Sequence, residues 1–207
     1  MYRRVVFVGL GGSGGKTIRF LKRDLRHWLT EHGWPEDEDI PAGFQFLHID
    51  TPTNQDGKSM GGAEMLPARE YVGLVGDNTS YDEVANQLDL MTGVRKEFAG
   101  WRVPPAMVTV PITDGAGAYR AIGRSISLAY MGQIRNQLND LILRVNSNTA
   151  IAELKRLWAV THDGAFPDGG RLSDPLMVVI SSLAGGTGAG LLLSLIHISE
   201  PTRPERI

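Results

Sequence analysis

Two glycine-rich stretches, each placed directly after a short apolar run, constrain this chain more than any other feature. The first is Gly9-Leu10-Gly11-Gly12-Ser13-Gly14-Gly15, following Val5-Val6-Phe7-Val8. The second is Gly185-Gly186-Thr187-Gly188-Ala189-Gly190, following Leu176-Met177-Val178-Val179-Ile180. Such apolar runs, bounded by turn residues, read as buried strands. Glycine after a strand lets several backbone N–H groups converge on an anion and lets a phosphate approach closely. A helix beginning there adds the positive end of its dipole. Two such loops at the C-terminal ends of two strands predict one polyphosphate held from two sides.

Composition narrows the partners. The 207 residues fit one domain, and a hydrophobic content of 42% can supply its core. The formal net charge is −2, with no basic stripe interleaved with aromatics. Neither nucleic acid nor an anionic membrane is therefore an expected partner. The absence of cysteine rules out disulfides and thiolate metal sites, and fits a reducing cytoplasm. No uninterrupted apolar run approaches membrane-spanning length. The apolar run after Arg4 is too short for a signal-peptide core.

Along the chain, a helix is expected from about Gly15 to Glu31. Ile18, Leu21, Leu25, Trp28 and Leu29 share its core face, while Lys22, Arg23, Arg26 and His27 take the solvated one. Phe44–Ile49 reads as the second strand, ending at Asp50. Ser80-Tyr81-Asp82-Glu83 is a capping-box pattern opening a short helix through Met91. Met107–Ile112 reads as an edge strand or strand end because of Pro111. One long helix is expected after Asp114-Gly115-Ala116-Gly117-Ala118, with apolar spacing from Ile122 to Val145, and another over about Thr149–Val160. Turns are expected at Asp163-Gly164 and Pro167–Gly170. Alternating strands and helices indicate an α/β, Rossmann-like parallel sheet with helices on both faces.

Gly9-x-Gly11-x-x-Gly14 matches the dinucleotide-binding pattern by letter, with Asp50 as its candidate acidic ribose ligand, farther along than usual. Gly14-Gly15-Lys16-Thr17 resembles the end of a P-loop, but the first glycine of that motif would fall on Leu10. The bland alternative is a glycine turn that packs a helix tightly on a strand. His27, His48, His162 and His197 share no metal-ligand spacing with each other or with His32, and Trp28 reads as core.

Taken in order, the first glycine loop, Asp50-Thr51, Gly115-Ala116-Gly117-x-x-Arg120-x-x-Gly123-Arg124 and the second glycine loop resemble the tubulin/FtsZ family, in particular bacterial tubulin-like proteins. The resemblance implies a GTP-binding domain. Gly11, Gly12, Ser13, Gly14, Gly15 and Lys16 would belong to the loop holding the α- and β-phosphates. Asp50 would approach Mg2+ through water. Ala116 and Gly117 would face the γ-phosphate, and Gly185, Gly186, Thr187 and Gly188 would form the signature loop, with the Thr187 hydroxyl on phosphate. Ser13, Lys16 and Ala184 depart from the family's usual residues. The family also implies self-association into filaments, and GTP hydrolysis that needs an acidic loop expected beyond Leu192. No catalytic residue is therefore assigned here. A Rossmann oxidoreductase, a P-loop ATPase and a non-hydrolysing tubulin-like scaffold are the competing readings.

The stretch Leu193-Ser194-Leu195-Ile196-His197-Ile198-Ser199-Glu200-Pro201-Thr202-Arg203 resembles the in-frame translation of a transposase-type sequencing adapter. That implies a nucleotide-binding domain over 1–192, incomplete at its C-terminal end, and a non-native tail over 193–207, extended from Glu200 onward.

Overall fold

Strand β1 (Val5–Leu10) lies inside a four-stranded parallel sheet whose order is β3 (Tyr71–Gly73), β2 (Phe44–Asp50), β1 and β4 (Leu176–Ser181). It pairs with β2 (Phe44–Asp50) from Val5↔Phe44 to Leu10↔Ile49. On its other side it pairs with β4 (Leu176–Ser181) from Val5↔Leu176 to Leu10↔Ser181. The short β3 (Tyr71–Gly73) extends the β2 side. The computed structural model describes residues 3–57, 62–91, 102–109, 111–162, 166 and 173–199. Six helices accompany the strands among these residues. They are α1 (Gly11–Glu31), α2 (Tyr81–Leu90), α3 (Arg120–Ala129), α4 (Met131–Val145), α5 (Asn148–Thr161) and α6 (Gly186–Ser199).

Strand alternation divides the side chains between two faces. Val6, Val8, Leu10, Leu47 and Ile49 enter the main core with Val84 of α2, Ile122 of α3, Leu141 of α4 and Leu191 of α6. Phe7 and Phe46 point the other way, stack at 5.2 Å between ring centroids, and meet Ile18 of α1. Leu29 at the far end of α1 and Trp34 just beyond it pack with Leu154 and Leu157 of α5. The expected α/β sheet with helices on both faces is therefore what the chain forms. Ser80 caps α2 as its sequence indicates, accepting from the Glu83 N–H while the Glu83 carboxylate accepts from the Ser80 N–H.

Several expectations are corrected. Helix α1 begins at Gly11 rather than Gly15, so most of the glycine loop is the first helical turn. The expected long helix is interrupted at Tyr130, whose ψ of 17° leaves the helical range. Ile126 and Ile134 are buried on either side of the break, so apolar periodicity alone does not reveal it. Among the described residues of 105–114 there are two 3-10 turns, Pro105–Met107 and Ile112–Asp114, and no strand. The prolines there withhold the N–H groups a ladder needs. Trp28 is 37% exposed and stacks on His32 rather than entering the core.

The solvated face of α1 is also less simple than its sequence suggests. Lys22 is drawn into a largely buried ion pair with Glu70 at 2.6 Å. Arg19 is buried and donates to the carbonyls of Asp56, Ala63 and Glu64, tying these three residues to the helix. Helix α6 continues through Leu192 to Ser199, with Ser194 and Leu195 buried and the Ser194 hydroxyl 2.7 Å from that of Ser127. The extended segment from Glu200 and the turns at Asp163-Gly164 and Pro167–Gly170 lie outside the described residues. Among the described residues, no helix is long and apolar enough to cross a membrane.

Candidate functional site

The chain leaves β1 for β2 on one side and returns through β4 on the other, so the carboxyl ends of these strands border a topological switch point. Open α/β sheets bind ligands at such crevices. A cavity of about 320 Å³ lies there. Gly11, Gly12, Ser13 and Lys16 line it from α1, Asp50 and Pro52 from the end of β2, Asp114–Gly117 from the third loop, and Ser182 and Gly185–Gly188 from the fourth. Its volume is at the low end of the range for small-molecule sites, about 300–1,000 Å³.

Two helices start at this cavity. Leu10 precedes α1 without a side-chain cap, and the first turn of α1 carries no acidic residue. The N–H groups of Gly11, Gly12 and Ser13 therefore lack intrahelical acceptors. At α6 the Gly186 N–H is taken by the Gly117 carbonyl at 2.7 Å, while those of Thr187 and Gly188 lack intrahelical acceptors. Gly11 makes the turn from strand to helix at φ 68°, a conformation that glycine takes without strain.

The other expected glycines do different work. A Cβ on Gly14 would enter the Ile180 carbonyl, and one on Gly15 would enter the His48 ring. Neither lines the cavity; both let α1 lie close on β4 and β2. Gly186 also packs, since a Cβ there would come within 2.7–2.9 Å of Ala116, Gly117 and Tyr119 backbone atoms. A Cβ on Gly185 would meet no atom within 4 Å, and one on Gly12 would meet only the Asp50 carboxylate, at 3.9 Å.

Hydrogen bonds brace the four loops. The Thr187 hydroxyl accepts from the Ala116 N–H at 3.3 Å and lies 2.9 Å from the Thr51 hydroxyl, all buried. It is thus engaged with neighbouring loops rather than turned to the cavity alone. Asp50 accepts from the Thr51 N–H at 2.8 Å and lies 3.5 Å from His48 Nε2. Burial, and then the negative charge of Asp50, push the Tyr71 phenol well above its usual range. Lys16 remains 43% exposed, loosely paired with Asp56 at 3.9 Å, and places a cation at the cavity rim.

Sequence reasoning brought Gly11, Gly12, Ser13, Lys16, Asp50, Ala116, Gly117 and Gly185–Gly188 to one place, and the structure puts them there. It passed over Asp114 and Ser182 as lining residues, and His48 and Thr51 as braces. The signal for His48 was available: it stands two residues before Asp50 and so shares its face of β2. Among the described residues, no group of three or more His, Cys, Asp or Glu side chains is placed to hold a metal. An Asp-based site still suits Mg2+, which binds through one or two carboxylates plus substrate phosphates and keeps several waters.

A family model described as tubulin like matches residues 6–201. No curated protein matches the chain significantly. No solved structure does either. Nearly the whole chain, including both glycine loops and everything between them, lies within the match, and the chain belongs to the tubulin-like family.

Proposed function

We propose that the cavity binds the phosphates of a nucleotide, GTP with Mg2+, as the nucleotide site of a tubulin-like protein. The observation that carries this reading is the convergence of four loops on one cavity at which two helices begin, the first of them without a side-chain cap. The N–H groups of Gly11, Gly12 and Ser13 would donate to one part of the polyphosphate, and those of Thr187 and Gly188 to another. Lys16 would exchange its loose contact with Asp56 for phosphate. Asp50 would hold the cation through water, and the cation would neutralise phosphate charge. The Thr51–Thr187–Ala116 contacts keep these loops at a constant spacing, so little reorganisation accompanies binding.

The choice of guanine rests on family membership. A Rossmann oxidoreductase would use Gly9–Gly14 and leave Gly185–Gly188 without a role, although both loops share the cavity. Filament formation with GTP, and a cytoplasmic location, go with the same reading. Hydrolysis, in this reading, would need an acidic loop supplied by a neighbouring subunit, as the family resemblance implies.

Titration with a fluorescent GTP analogue tests the proposal. Binding should depend on Mg2+, and GTP should displace the probe better than ATP or NAD. Preferential displacement by NAD would return the chain to the dinucleotide-binding reading. Light scattering with and without GTP tests self-association separately.

A further inference from the structure

His48 lies under the first turn of α1, behind the cavity rather than on its wall. It is 6% exposed, and the absence of a Cβ at Gly15 makes room for its ring. The Tyr71 ring meets it edge-on, with centroids 5.1 Å apart. Nε2 lies 3.1 Å from the Gly11 carbonyl oxygen and 3.5 Å from Asp50 Oδ2. Both neighbours are acceptors, so Nε2 carries the hydrogen. Nδ1 is buried and has no hydrogen-bond partner.

A hydrocarbon ring would fill this space and meet Tyr71 equally well, without leaving a buried nitrogen unpaired. What the imidazole adds is a single N–H bonded to a carbonyl of the phosphate-side loop and within 3.5 Å of a carboxylate of the cation-side loop. The other carboxylate oxygen of Asp50 is held by the Thr51 N–H. Asp50 therefore cannot turn away from the cavity without breaking one contact or the other.

We propose that His48 is a positioning residue for the cation–nucleotide complex: its Nε2–H holds the Asp50 carboxylate at a set distance from the Gly11 turn. The inference rests on the nucleotide reading above. Groups that orient a metal-side carboxylate typically change metal affinity by about 10- to 100-fold when removed. The effect should thus appear in the Mg2+-dependent part of nucleotide binding and not in the metal-free part.

The test titrates the full chain and two variants, His48→Phe and His48→Gln, with the fluorescent GTP analogue in the presence of Mg2+ and of a chelator. His48→Phe should keep the metal-free affinity and lose about tenfold of the gain conferred by Mg2+. His48→Gln restores an N–H donor and should recover much of that gain. An unchanged Mg2+ gain in His48→Phe would overturn the proposal while leaving the nucleotide reading intact. An equal loss with and without Mg2+ would reduce His48 to packing. A wild-type chain that binds no GTP would overturn both readings together. Independently of any variant, 15N spectra of the wild-type ring should show the hydrogen on Nε2, and a hydrogen on Nδ1 would sink the proposal even if His48→Phe fails to fold.

Discussion

The wall of the cavity and the layer beneath it use the same residue for opposite purposes. On the wall, Gly12 and Gly185 keep space open, and a Cβ on either would meet little or no protein. Beneath, Gly14 and Gly15 close space, and a Cβ on either would strike the Ile180 carbonyl or the His48 ring. Gly186 belongs with the second group although it lines the cavity, because it is wedged against residues 116–119. The two roles alternate within seven letters of sequence. A glycine motif thus combines positions that keep the cavity open with positions that pack, and only the second contribute to stability.

The largest test of this division is Gly14→Ala. Its methyl would meet backbone of β4 and β1, which cannot rotate aside. We expect a loss of at least about 3 kcal/mol, read as a lowered urea midpoint. An unshifted midpoint would show that Gly14 belongs with the open wall. Thr187→Val comes next, since it leaves the Ala116 N–H and the Thr51 hydroxyl without their buried partner. It should cost about 1–3 kcal/mol. Adding Thr51→Val should cost less than the separate changes predict, and additive losses in a double-mutant cycle would mean that the two hydroxyls do not interact.

Gly12→Leu should behave in the reverse manner. Its side chain would occupy cavity space next to Asp50, and leucine is the better helix former by up to about 1 kcal/mol. Stability should stay within about 1 kcal/mol of wild type while GTP affinity falls at least tenfold, or about 1.4 kcal/mol. Retained affinity would remove Gly12 from the phosphate side. The smallest expected effect concerns Tyr71 in the layer beneath. Burial, reinforced by Asp50, raises its phenol pKa in the fold, so the neutral form is favoured there. The stability this supplies is complete below the unfolded value of about 10 and is lost as pH climbs above it. Tyr71→Phe should therefore flatten the decline of thermal stability at alkaline pH, and an unaltered profile would place the responsible group elsewhere.

Much of this was legible before any coordinates. The apolar runs at Val5–Val8 and Leu176–Ile180 and the largely apolar stretch Phe44–Ile49, broken only by Gln45 and His48, marked three of the four described strands, since parallel strands buried on both faces are rich in apolar residues. Strand β3 was not legible, being three residues long and too short to show a period. Neither was the break at Tyr130, because Ile126 and Ile134 keep helical spacing across it. Pro111 warned against a strand without indicating the two 3-10 turns that replace it.

The order of the glycine loops along the chain, with Asp50 and residues 115–117 between them, was a property of the sequence alone, and it sufficed to indicate the family. Local chemistry determines such features: a glycine after a strand is visible wherever it folds. Which glycines face the cavity and which face a neighbouring strand was decided by tertiary structure, because that depends on atoms far along the chain, as with the His48 ring against Gly15 and the Ile180 carbonyl against Gly14. The same holds for Arg19, His48 and Thr51. Their side chains are ordinary in composition and acquire roles only when packing removes water and leaves specific acceptors within reach.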